Sequence, residues 1–95
     1  MAVGTSTVAP GVANTALLAE IANSRVTIGS ANVSTSSNTT TYIGTFPSSV
    51  GTGAITEAGI FNANSSGTML CRTTFPVVNK GALDTLTITW SVSAI

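Results

Sequence analysis

Six charged side chains (Glu20, Arg25, Glu57, Arg72, Lys80 and Asp84) and one thiol, Cys71, are the groups in these 95 residues with the chemistry for acid–base, nucleophilic or ligand roles; there is no histidine. Without imidazole there is no Ser-His or Cys-His pair and no imidazole metal site. Cys71 sits in an apolar stretch with no base near it in sequence, the usual setting of an inert buried thiol. A glycosidase needs two carboxylates. Glu57 has a better partner in Arg72, and Glu20 and Asp84 fall in an expected helix and loop. Gly51-Thr52-Gly53 lacks the helix and lysine that complete a phosphate cradle. The residues point away from catalysis, and no metal or cofactor is expected.

The informative pair is Glu57 and Arg72. Strands at 54–62 and 68–76 form a hairpin if the turn is centred between Asn64 and Ser65, which puts Glu57 directly opposite Arg72. One face then carries Ile55, Glu57, Gly59 and Phe61 with Leu70, Arg72 and Thr74. The other carries Ala54, Ala58 and Ile60 against Met69, Cys71 and Phe75, and is the expected core. An apolar strip holding one carboxylate and one guanidinium is costly to bury unless the two are paired. The Arg fork can satisfy a carboxylate across the hairpin or on a neighbouring subunit. Ile55, Glu57, Phe61, Leu70 and Arg72 are therefore the candidate subunit interface, against the alternative of a solvent-facing cross-strand pair worth less than about 1 kcal/mol. Gly59 marks either a bulge or a close approach of another backbone, and the bulge is the expected one.

The elements that position this pair follow from periodicity. Residues 1–13 hold two glycines, a proline and small side chains, and read as an extended arm. Asn14 or Thr15 can cap a short helix over 15–22, with Leu17 and Ile21 on one face. From Arg25 the period becomes two and β-branched residues dominate, predicting strands near 24–33, 39–46, 54–62, 68–76 and 84–94. The last is the clearest, with Leu86, Ile88, Trp90 and Val92 alternating with Thr and Ser. Turn chemistry separates the strands at 34–38, 47–51, 62–67 and 79–81. The expected fold is a single all-β domain over 1–95: an antiparallel β-sandwich or small barrel with one short N-terminal helix and an extended N-terminal arm.

Composition sets the kind of surface this domain presents. Charged residues make up 6% of the chain and the formal net charge is zero, against roughly 25% charged in an average domain. Seventeen Thr, twelve Ser and seven Asn take over the polar role, and hydroxyls cost less to desolvate than ions. Such a surface is built for contact. Three isolated cations cannot form a phosphate-neutralising patch, so nucleic acid is not an expected partner. No basic amphipathic helix and no apolar run of about 18–20 residues is present, so neither is a membrane. The single cysteine excludes an internal disulfide, and the absence of a hydrophobic leader makes the cytoplasm the expected place of synthesis.

Three stretches together resemble a known family: Gly51-Thr-Gly-Ala-Ile-Thr-Glu-Ala-Gly-Ile-Phe-Asn62, then Gly67-Thr-Met-Leu-Cys-Arg-Thr-Thr-Phe75, then Asn79-Lys-Gly-Ala-Leu-Asp-Thr-Leu-Thr-Ile-Thr-Trp90. They are similar to small virion proteins and fibre-tip modules of tailed bacteriophages. Ala2-Val-Gly-Thr and Thr15-Ala-Leu with Glu20 resemble the start of the same module, so the likeness spans nearly the whole chain. It implies a trimeric β-sandwich, used either as a cement (decoration) protein on the outer capsid or as the distal domain of a tail fibre or spike. A chain that begins with its own Met favours cement, and neutrality favours the outer surface over one facing DNA. The partners so implied are further copies of the chain and the major capsid protein. Ala2, Val3, Thr5, Val8 and Pro10 of the arm are the candidate capsid contacts.

Two other readings make different demands. A receptor-binding tip would stack exposed loop aromatics on a host-surface glycan. Trp90 and Phe75 fall inside strands, leaving Tyr42, Phe46 or Phe61 for that role. A free host-side protein, such as an inhibitor, would be missing from purified particles.

Overall fold

The computed structural model describes residues 1–93, and the final residue of the expected 84–94 strand lies outside that range. Six strands form, β1 (Ala2–Gly4), β2 (Val33–Ser36), β3 (Thr39–Phe46), β4 (Gly53–Phe61), β5 (Met69–Lys80) and β6 (Leu86–Ser93), with a single 3-10 turn at Ser30–Asn32. They make two antiparallel three-stranded sheets, in the orders β1-β4-β5 and β2-β3-β6. The fold is all-β and sandwich-like. Both sheets turn an apolar face to one core of Met1, Val3, Phe46, Ile55, Ala58 and Ile60, against which Tyr42, Phe75, Leu86, Ile88 and Trp90 pack. Val3, Phe46 and Ile55 are fully buried, each contributing roughly 1.5–3 kcal/mol of burial.

Alternation accounts for the second sheet. Along β6, Leu86, Ile88, Trp90 and Val92 are half-buried while Thr87, Thr89, Ser91 and Ser93 are exposed. β6 pairs with β3 from Phe46↔Leu86 to Thr39↔Ser93, so on the outer face hydroxyl residues meet hydroxyl residues at every pair but Ile43↔Thr89. The Thr39 and Ser93 hydroxyls lie 2.9 Å apart and those of Thr45 and Thr87 3.4 Å apart.

The N-terminal third departs from expectation. Residues 15–22 form turns and not a helix. The cause is non-local: the Leu18 and Ala19 N–H groups donate to the Glu57 carboxylate at 3.2 and 2.8 Å, taking donors that a helix would use. Residues 1–13 are not one free arm either. Ala2–Gly4 pair with Gly59, Ala58 and Glu57 as an edge strand of the first sheet, while the chain beyond Thr5 crosses the outer face of β4. The strand expected at 24–33 is irregular chain ending in the 3-10 turn, and β2 forms where a turn was expected.

The β4–β5 register also differs. Glu57 lies opposite Thr74 and Arg72 opposite Gly59, a shift of two residues from the expected pairing. A two-residue shift leaves side chains on the same face, so Glu57 and Arg72 still share one. The pairing is irregular between Ile55 and Glu57, where four residue steps of β5, through Pro76, span two of β4. Ile55 joins the core with Ala58 and Ile60, while Glu57 reaches the opposite side. One irregularity thus sits beside Pro76 and a second falls between Ile60 and Phe61, one residue past Gly59, which itself stays paired with Arg72; Gly59 is a close-approach position, where a Cβ would meet Leu17 Cδ2 at 2.9 Å and the Cys71 carbonyl at 3.1 Å.

Candidate functional site

Glu57 is fully buried, and both its oxygens are used twice. Oε1 accepts from Arg72 Nε at 2.8 Å and from the Leu18 N–H at 3.2 Å. Oε2 accepts from the Ala19 N–H at 2.8 Å and the Ser6 N–H at 3.2 Å. The remaining Arg72 nitrogens donate to the Val8 carbonyl at 2.9 Å, Asn14 Oδ1 at 3.2 Å and Ser6 Oγ at 3.5 Å. Burial pushes the Glu57 carboxyl up, but the Arg72 guanidinium and the Ala19, Ser6 and Leu18 N–H donors outweigh it and hold the group below the ordinary carboxylate range. With both partners buried and every lone pair met, the pair is a bolt that fastens residues 5–20 onto β4 and β5.

The remaining charges are spent in the same way. Arg25 grips Glu20 with two bonds, Nε to Oε2 at 2.7 Å and a second nitrogen to Oε1 at 3.1 Å. Its third nitrogen donates to the Ala63 and Ser66 carbonyls of the β4–β5 turn, and its guanidinium lies 3.7 Å from the Phe61 ring centroid. Lys80, also buried, donates from Nζ to the Pro47 carbonyl at 3.0 Å. Asp84 accepts the Gly81 N–H at 2.7 Å within the β5–β6 turn. All six charged side chains have partners inside the fold.

This placement corrects the candidate interface. Ile55 is in the core, Glu57 and Arg72 lie beneath the chain's own N-terminal segment, and Phe61 is half-covered under Arg25. Only Leu70 of the five is exposed. The contact-arm residues divide too: Ala2 and Val3 are fully buried, whereas Thr5, Val8 and Pro10 are exposed beside the fully exposed Val12.

Further apolar side chains line clefts where the two sheets fail to close. β5 and β6 are edge strands of different sheets and do not pair. Between them runs a cleft of about 390 Å³ lined by Phe75, Pro76, Val78, Leu86, Thr87 and Ile88. A second, of about 470 Å³, opens at the turn end of β4 and β5 against Tyr42, Met69 and Leu70. No residue of β6 is fully buried, although its apolar row faces inward. Sequence periodicity located that row correctly but carried no sign that one sheet would leave it half-covered.

The chemistry of the molecule is correspondingly plain. Cys71 is half-buried, and burial pushes its thiol up, against a smaller opposing effect of the Ile60 backbone. Among the described residues no three His, Cys, Asp or Glu side chains gather as a metal-binding group, and no helix is long and apolar enough to cross a membrane. All five aromatic rings are buried or half-buried, including Tyr42, Phe46 and Phe61. No protein-family model, curated protein or solved structure matches this chain.

Proposed function

We propose that this chain is a structural shell module: a cement protein that assembles as a homotrimer on the outer surface of a phage head and binds the major capsid protein. One observation carries the reading: every charged side chain is engaged within its own fold. The surface of 5481 Å² is thereby left mainly to hydroxyls, amides and aliphatic groups. Such a surface repels neither a copy of itself nor a neutral shell and is cheap to desolvate. The likeness to phage virion modules supplies the particle, and the lack of a basic patch favours its outside over a DNA-facing position. Contact with the shell falls to the exposed loop bearing Val8, Pro10 and Val12, since Ala2 and Val3 are used in the core. A glycan-binding tail tip is less favoured because no ring is freely exposed. The test is mass spectrometry of purified particles. The cement reading expects the chain there in many copies, and a chain missing from particles overturns it.

A further inference from the structure

We infer that the open seam between β5 and β6 is where copies of this chain meet, the second copy covering the half-buried Leu86 and Ile88. The inference rests on the self-association proposed above and gives it a location.

Three observations select a second copy as the occupant. First, β6 is a free strand edge of eight residues with no proline, no lysine and no charge. Soluble proteins normally guard such an edge with one of these devices, and an unguarded edge is open to the matching lip that every further copy brings. Second, both lips are neutral. Within β5 the only charges are Arg72 and Lys80, and each is buried and bonded internally, to Glu57 and to the Pro47 carbonyl. The β6 lip of one copy can therefore meet the β5 lip of the next without repulsion, the head-to-tail contact that a three-fold ring requires. Third, the seam is continuous with the core: Leu86 and Ile88 line the cleft and also pack on the core cluster, and Phe75 does both from the opposite lip. A neighbour seated there completes the sandwich, as a subunit interface does when it resembles a domain core divided in two.

The two lips differ in what they offer. Pro76 and the irregular pairing beside it interrupt β5, so this lip contacts a neighbour through side chains, chiefly Val78. β6 is uninterrupted and can also add backbone hydrogen bonds. Around a three-fold axis three seams would turn inward and share one apolar centre.

The test is sedimentation of Val78→Glu, a change on a lip residue that is 38% exposed, beside Ala31→Glu in the exposed 3-10 turn as control. We expect the wild type and Ala31→Glu to remain assembled, and Val78→Glu to fall to one-third of the wild-type mass with an unchanged far-UV spectrum. An assembled Val78→Glu beside an assembled wild type overturns the seam and leaves self-association standing. A monomeric wild type overturns self-association itself. Should Val78→Glu fail to fold, amide exchange of the wild type at high and low concentration decides: β6 amides protected at least tenfold by assembly support the seam, and β6 amides unaffected by concentration overturn it.

Discussion

Replacing Glu57 with Gln changes one oxygen for one NH₂ in a fully buried site and preserves shape. The carboxylate accepts four hydrogen bonds, two on each oxygen. The amide keeps an acceptor on one side only, and its NH₂ must face two N–H donors. It also leaves Arg72 charged and buried with no counter-charge among its partners. Removing one member of a buried ion pair costs about 3–5 kcal/mol. A chain of this length is stable by roughly 5–14 kcal/mol in all, so Glu57→Gln should lose about a fifth of that or more, and the Tm should fall by at least about 12 °C. The assay is urea unfolding at fixed protein concentration, because the proposed assembly would add its own stabilisation. The double variant Glu57→Leu with Arg72→Leu should be less damaged than the sum of the two single variants, since neither charge is left stranded. A Glu57→Gln protein within about 0.5 kcal/mol of wild type would refute the bolt.

Further outcomes follow from the same geometry. Because the folded Glu57 carboxyl is held below its ordinary value of 4.5, its stabilisation is complete above that pH and is lost as pH falls through the folded value; acid unfolding titrations should show this dependence in wild type and lose it in Glu57→Gln. Gly59→Ala places a methyl against Leu17 and the Cys71 carbonyl and should cost about 1–3 kcal/mol by overpacking, read as a lower urea midpoint with unchanged slope. Cys71, half-buried with its thiol pushed up, should react with a thiol reagent at least tenfold faster in denaturant than in the native protein; equal rates would contradict its placement. Val8→Asp with Val12→Asp, both exposed, should weaken attachment to the shell without unfolding the chain, whereas deletion of residues 1–13 should unfold it, because Val3 is core and Ser6 is a partner of Glu57.

What the sequence made legible were features whose cause is local. β3, β4 and β6 lie close to where period-two patterns put them, and the inward row of β6 is the row that alternation picks out. The pairing of Glu57 with Arg72 was also legible, and it survived a register error because the error was two residues, which preserves the face. Features with non-local causes were not. Residues 15–22 have reasonable helical character, yet the donors of Leu18 and Ala19 go to a carboxylate 38 or 39 positions away. β1 is three residues that give no periodic signal, and it is a strand because it pairs with Gly59, Ala58 and Glu57 of β4, more than fifty positions along the chain. The same crossing segment hides the face chosen as an interface, which local patterning could show as apolar but not as already covered.

Whether this molecule packs against copies of itself is decided by sedimentation equilibrium of the isolated wild-type chain at micromolar concentration. A trimer gives a single species of three times the 9.5 kDa chain mass. A species of 9.5 kDa that persists as concentration is raised would contradict it.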